Sequence, residues 1–304
     1  MDGQSVKQVI ESLELEIAQM HPKLITDYVL VDESLGLDQD LNEYLREISN
    51  STAMNTKVKL LTPIYRRGNQ GAILWALNQL PLDSIDDKCY LVVMDSDGED
   101  DPRDVPRLLV ELIQNNLDLV YAMRGSRSAK LSFRLGKIIY SSIFRILTGA
   151  QLESGNFSAM KLEWLRQCMR DGIFSNSFSG ELPRIQARKS KIICNRLPRW
   201  DGQSKTNFRS LVSIALRQLI PWSEIISVRS FIFFVFSSFM ATFAVLSAFT
   251  LKLFFGISTP SWATLVVGFS IVISLLTFLL FAISMSIMVQ IDGIKRLTAE
   301  LSSR

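Results

Sequence analysis

Apolar positions recur along most of this chain with two different periods, and towards its end they lose periodicity altogether. In Ser5–Met20, the residues Val6, Val9, Ile10, Leu13, Ile17 and Met20 share one face at helical spacing, which predicts an amphipathic helix. Tyr28-Val29-Leu30-Val31 is a short apolar run ending at Asp32, and Lys57–Leu61 is a second strand candidate. Gly71–Leu80 reads as helical. Tyr90-Leu91-Val92-Val93-Met94 is nearly all apolar, the pattern of a strand buried on both faces of a parallel sheet. Val105–Asn115 reads as a helix and Leu117–Ala122 as a fourth strand. Strands alternating with helices predict an α/β fold on a doubly wound, mostly parallel sheet.

Beyond Arg229 the pattern changes. From Phe231 to Leu251 there are 21 residues without a charge, and from Leu253 to Ile291 another 39. A helix needs about 20 apolar residues to cross a bilayer. Segments 230–251 and 262–289 meet that length, and Gly256, Ser258 and Pro260 break the helix between them. The expectation is a C-terminal transmembrane hairpin; core helices of a soluble protein are seldom so long and so free of charge on every face. Arg217 and Arg229 precede the first span and Lys295, Arg296 and Arg304 follow the second, whereas Lys252 alone sits near the connector. That bias places both chain ends on the cytoplasmic side. Met1-Asp2-Gly3 has no basic start and no continuous apolar run follows, so no signal peptide is expected. The expected organisation is a cytoplasmic domain over 1–207, a juxtamembrane amphipathic helix over 208–229, the two-span hairpin over 230–291 and a cytoplasmic tail over 292–304.

Composition then narrows the chemistry. The net charge of +3 over 304 residues does not point to nucleic acid. Three cysteines, Cys89, Cys168 and Cys194, have no pairing pattern and argue against a disulfide scaffold or a zinc site. His21 is the one histidine, so a His base or a His-rich metal site has little to draw on. Charge is nonetheless segregated. Nine carboxylates lie between Asp83 and Asp104 against Lys88 and Arg103. Leu119 to Leu152 holds six cations and no carboxylate, and Leu182 to Ser223 holds nine cations against Asp201. An acidic patch beside two basic ones suits a site for a metal and more than one phosphate; solvated loops and helix faces are the alternative.

The acidic run has its own logic. Asp95, Asp97, Glu99, Asp100 and Asp101 fall directly after a strand, and open α/β sheets bind ligands beyond the carboxyl ends of their strands. Two carboxylates ~4 Å apart repel by about 4 kcal/mol at an effective dielectric of 20, a penalty that a divalent cation removes. Oxygen-only ligands suit Mg²⁺ or Mn²⁺. Such an ion can bridge a diphosphate and stabilise it as a leaving group. Gly98 allows a tight turn that brings Glu99 back towards the cation.

Tyr90–Pro102, YLVVMDSDGEDDP, resembles the strand and Asp-X-Asp loop of family 2 glycosyltransferases. The likeness is strongest to polyprenyl-phosphate sugar transferases of the dolichyl-phosphate mannose synthase kind, which typically carry Asp-Ala-Asp-Leu-Gln-Asp-Pro here. YVLVDESLGLD (Tyr28–Asp38) is similar to the family's second strand and Val-Asp-Asp-Gly-Ser segment. RRGNQGAILWAL (Arg66–Leu77) loosely matches its Gly-rich helix start. GNFSAM (Gly155–Met160) is similar to Gly-Asp-Phe-Arg-Leu-Met, and RWDGQSK (Arg199–Lys205) to a late Arg-X-X-Gly-X-Ser-Lys motif. Two membrane helices then follow, as in some members.

The resemblance implies a GT-A-like fold and an inverting transfer of sugar from a UDP- or GDP-linked donor to a polyprenyl phosphate, undecaprenyl or dolichyl, at the cytoplasmic membrane face. It implies that Asp95 and Asp97 bind the metal and the donor diphosphate, with Asp97 catalytic, and that Glu99 takes the place of a Gln metal ligand. Asp32 falls near the nucleotide base. Arg124, Arg127, Arg199 and Lys205 fall where the lipid phosphate is expected. A homo-oligomer stays open, because some members are oligomeric.

Two features depart from the family. Asn156 stands where members have a catalytic Asp, and Asn cannot take a proton as a base. Members also carry a strand before the helix matching Ser5–Met20; in this chain an unpaired gap is expected in the middle of the sheet. A transferase with another acceptor and a catalytically impaired, membrane-anchored paralogue are the alternatives. The helix Lys130–Leu147 sets Arg134, Lys137, Ser141 and Arg145 on one side and Leu131, Leu135, Ile138, Ile139, Ile143 and Ile146 on the other. Residues 208–220 give a second amphipathic helix, with Arg209 and Arg217. Both helices suit either docking on the bilayer or ordinary core packing with a solvated face.

Overall fold

The computed structural model describes residues 3–21, 24–50, 57–124, 131–151, 156–174, 177–194, 196–198, 208–256 and 261–302. They fall into two compact units, one of residues 1–136 with 153–218 and the other of residues 137–152 with 219–304. Residues 137–152 group with the two long C-terminal helices.

In the first unit, helix α1 (Gly3–Met20) precedes strand β1 (Tyr28–Val31), helix α2 (Gln39–Asn50), strand β2 (Val58–Leu61), helix α3 (Gly68–Gln79), strand β3 (Tyr90–Val93), helix α4 (Asp104–Gln114) and strand β4 (Leu119–Arg124). Helix α5 (Leu131–Thr148) leads across to the second unit. The first unit continues with strand β5 (Ser158–Lys161), helix α6 (Leu162–Arg170), the short helix α7 (Phe178–Glu181), strand β6 (Lys189–Cys194) and helix α8 (Phe208–Leu219). The strands form two sheets. One is the parallel pair β1–β2; the other has the order β3-β5-β4-β6, with β5 antiparallel to both neighbours and β4 parallel to β6. The α/β architecture is therefore mixed in strand direction, and no described strand joins β1 to β3.

The four-stranded sheet is covered on both faces, and alternate residues serve alternate layers. Leu119, Tyr121 and Met160 pack with Leu74 and Leu77 of α3, Leu165 of α6 and Phe178 of α7. Val120, Ala122 and Ala159 pack with Val9 and Leu13 of α1 and Leu108 and Leu112 of α4. Helix α1 also serves the other sheet: Val6 and Ile10 pack with Leu30, Leu41 and Tyr44. One amphipathic helix thus closes the core over both sheets. Strand β3 corrects the expectation of burial on both faces. It lies at the edge of its sheet, so Tyr90 is exposed and Leu91–Val93 are half-buried.

All three cysteines are free, and burial pushes the thiols of Cys168 and Cys194 up to about 12. At the start of β4, Asp118 receives a forked pair of hydrogen bonds from Arg188, Nη2 to Oδ1 at 2.7 Å and Nε to Oδ2 at 3.1 Å. That fork outweighs burial and holds the Asp118 carboxyl below its usual range. Such an aspartate contributes stability while ionised and loses it as the pH falls through its folded-state pKa. Asp118→Asn should lower the thermal midpoint at neutral pH, with the gap closing as the protein is acidified. A gap unchanged into strong acid would mean that the fork contributes nothing.

The second unit holds helix α9 (Ser223–Phe255) and helix α10 (Ser261–Ser302), of 33 and 42 residues. Both run past the expected spans: α9 begins inside the segment assigned to the juxtamembrane helix, and α10 continues into the expected tail. Gly256 ends α9 in the left-handed conformation, φ 60°, which glycine adopts without a Cβ clash. The pair is joined by hydroxyl hydrogen bonds, Ser238 to Ser274 at 2.6 Å and Ser237 to Thr277 at 3.3 Å, and by ring contacts Phe231–Phe281 and Phe234–Phe278. Two stretches, Ala215–Phe254 and Thr264–Met288, are long and apolar enough to span a membrane.

Helix α5 packs one side, through Phe144, on Trp222 and Ile226. Arg229 donates to the carbonyl of Ile146 at 2.8 Å, capping the end of α5. The apolar face proposed from sequence is not core. Ile138, Ile139, Ile143 and Ile146 are all exposed, and so is Leu135 one turn earlier.

Candidate active site

Strand β3 delivers the chain into a tight turn at its carboxyl end. Asp97 Oδ1 accepts from the backbone N–H of Glu99 at 3.0 Å, and Gly98 between them takes φ 78°. Asp95 and Asp97 leave the strand together, as expected. The other acids of the run do different work. Asp100 Oδ2 accepts from the Asp95 backbone N–H at 2.9 Å, so it shapes the turn. Asp101 is buried, which pushes its carboxyl up, but hydrogen bonds from the side chain and backbone of Arg103 bring it below the usual range. Asp104 pairs with Arg107 one turn along α4.

Glu99 has a definite partner. Its side chain is buried and its carboxylate pairs with Arg196. The Glu99 carbonyl also accepts from the Leu197 N–H at 2.9 Å, and Asp100 forms an antiparallel bridge with Arg196. Among the described residues, no three His, Cys, Asp or Glu side chains form a group that could hold a metal.

Asn156, at the start of β5, is buried beside Asp95. Its Nδ2 donates to Asp95 Oδ1 at 3.3 Å and to Asn69 Oδ1 at 2.9 Å. Asn69 Nδ2 donates to the same Asp95 oxygen at 3.0 Å. Gln70 Nε2 donates to Asn156 Oδ1 at 2.5 Å, and Gln70 Oε1 accepts from the Ser179 N–H at 2.9 Å. The end of β3, the approach to β5 and the first turn of α3 thus meet at one carboxylate, and α7 is linked to it through Gln70. The sequence marks Asp95 and Asn156 but not Asn69, Gln70 or Arg196. Asn69 and Gln70 lie in the quoted Gly-rich helix start, and no local signal marks them as polar partners of Asp95.

Asp32 is buried at the end of β1. Both its oxygens are used by its own loop, Oδ1 by the Ser34 N–H and Oδ2 by the Gly36 N–H, each at 2.8 Å. Burial pushes its carboxyl up, and the bonds from Ser34 and Gly36 more than reverse that. Asp32 therefore builds the loop expected near the nucleotide base. Its neighbour Glu33 accepts from the Arg67 N–H at 2.7 Å, which brings that loop to the start of α3. Arg124 closes strand β4 opposite Cys194. Arg127, Arg199 and Lys205 lie outside the described residues.

The sequence profile of the family described as Glycosyl transferase family 2 matches residues 4–167, more than half of the chain. The chain belongs to family 2 of the glycosyltransferases. It is also 26% identical over 183 residues to a Synechocystis sp. protein described as an uncharacterized glycosyltransferase, an alignment covering 55% of this chain and 55% of that relative. The chain thus spans about half the length of the curated relative it matches. The matched family segment contains Asp95, Asp97, Asn156 and the carboxamides of α3. The two long apolar helices suggest membrane association.

Proposed function

We propose that this transferase moves a sugar from a UDP- or GDP-linked donor to a polyprenyl phosphate at the cytoplasmic face of a membrane, inverting the anomeric configuration. The observation carrying this reading is that one chain joins a family 2 domain, with Asp95 and Asp97 at a strand end, to a helical pair of membrane-spanning length. The exposed apolar face of α5 supports it: Ile138, Ile139, Ile143 and Ile146 suit a helix lying in the bilayer interface, and Arg145 beside them suits anionic head groups.

The donor set fits Mg²⁺ or Mn²⁺. Such ions are held by one or two carboxylates plus substrate phosphates, and Asp95 and Asp97 supply that pair with Glu99 committed to Arg196. When bound, the ion would neutralise the donor diphosphate and stabilise it as a leaving group. The acceptor phosphate oxygen attacks the anomeric carbon, forming a C–O bond while the bond to the diphosphate breaks, and the nucleoside diphosphate departs. A phosphate monoester with a second pKa of about 6 is already anionic, so no side chain has to take a proton. Asn156, which cannot, is compatible with such an acceptor. Arg124, Arg127, Arg199 and Lys205 are proposed to hold the lipid phosphate.

The test uses the full chain in detergent with Mn²⁺, labelled UDP- and GDP-sugars, and undecaprenyl or dolichyl phosphate. Label should enter the organic phase only when the lipid is present, with the anomeric configuration reversed, and Lys205→Glu should abolish it. Transfer that ignores the lipid phosphate, or normal turnover by Lys205→Glu, would contradict this assignment. The carboxamide at 156 is what would favour an impaired paralogue, which would neither transfer label nor hydrolyse any donor.

A further inference from the structure

A carboxamide has one accepting and one donating end, so its orientation is set by its partners. The backbone N–H of Ser179 cannot turn round, and it fixes Gln70 Oε1 at 2.9 Å. Ser177 Oγ reinforces that contact at 3.3 Å. Gln70 must then present its Nε2 to Asn156, which accepts through Oδ1. Asn156 is left with Nδ2 facing Asp95 Oδ1 and Asn69 Oδ1. Asn69, its own oxygen engaged, turns Nδ2 to Asp95. Two N–H donors therefore converge on one carboxylate oxygen, and their direction originates in the backbone of α7.

We propose that Gln70, Asn156 and Asn69 form a directional carboxamide relay that sets the orientation of Asp95, making them positioning residues of the donor site. The inference rests on the donor role proposed for Asp95. It also gives Asn156 a task that Asp cannot perform. An ionised Asp at 156 could accept from Gln70 but would set an oxygen in place of the donor 3.3 Å from Asp95 Oδ1, where like charges repel. Gln70→Glu fails for a related reason. Its one oxygen still accepts from Ser179, but the other demands a donor, so Asn156 turns over and points its carbonyl oxygen towards Asp95.

The experiment is isothermal titration of the full chain in detergent with UDP and, separately, GDP in the presence of Mn²⁺, with thermal midpoints measured alongside. Gln70→Glu, Gln70→Met and Asn156→Asp should each weaken binding of the preferred nucleotide by roughly tenfold or more. Gln70→Met/Asn156→Asp should bind no worse than Asn156→Asp, because the two changes break one chain. An additive double variant, or tighter binding by Asn156→Asp, would overturn the relay. Asp95→Asn separates the two levels. If it cripples binding while the Gln70 variants bind normally, the relay is wrong and the donor site stands. If it too binds normally, both fall. Should Asn156→Asp fail to fold, the isosteric Gln70→Glu decides alone.

Discussion

Asp95→Ala and Asp97→Ala are each expected to reduce sugar transfer by roughly a hundredfold to a thousandfold, the range for losing one fixed electrostatic contact to developing charge. The two carboxylates stand at the end of β3, where the tight turn at Gly98 keeps them at the mouth of the sheet. The fold should tolerate either loss, because the turn is also built by Asp100 on the Asp95 backbone and by the Glu99–Leu197 hydrogen bond. Initial rates with saturating donor, beside unchanged thermal midpoints, check this. Asp101→Asn is the matched control: it removes a charge from the same run, but its carboxylate serves Arg103, so transfer should change little.

The second large effect concerns Glu99 and Arg196. A three-carboxylate metal site would make Glu99→Gln weaken Mn²⁺ binding and leave Arg196 irrelevant. The observed pairing inverts that expectation. Arg196→Ala strands a buried carboxylate, a loss of about 3–5 kcal/mol for such pairs. Glu99→Gln leaves Arg196, the more exposed partner at 24% against 6%, with an amide oxygen to bond, so its effect should be much smaller. Chemical denaturation of the two variants checks the difference, and Mn²⁺ titration of Glu99→Gln should match the unaltered protein. A strongly weakened Mn²⁺ affinity in Glu99→Gln would return Glu99 to the ligand set.

Local periodicity was enough to read α1, α3, α4 and β1 to β4, because each carries its apolar face within a few residues. It was not enough for β5 and β6. Ser158–Lys161 and Lys189–Cys194 are half lysine and serine, without a clean apolar alternation, and they become strands by pairing with β4. The same non-local pairing explains β3. Its sequence looks fully buried, but its place at the sheet edge leaves it half-covered. In the site, Asp95, Asp97 and Gly98 were legible because strand, turn and acids are contiguous. The network around them was not. Gln70 reaches Asn156 across 86 positions and Ser179 across 109, distances over which no spacing rule operates. Helix α5 shows the converse. Its two-sided pattern was plain in sequence, but only the structure shows Phe144 covered and the isoleucine face exposed.

Calorimetric titration of Mn²⁺ with UDP or GDP into the full chain and into the Asp95→Ala/Asp97→Ala double variant addresses the donor site without needing the acceptor. Saturable binding by the unaltered protein and none by the double variant is the expected result. Equal binding by both would show that the carboxylates at the end of β3 do not hold the nucleotide diphosphate.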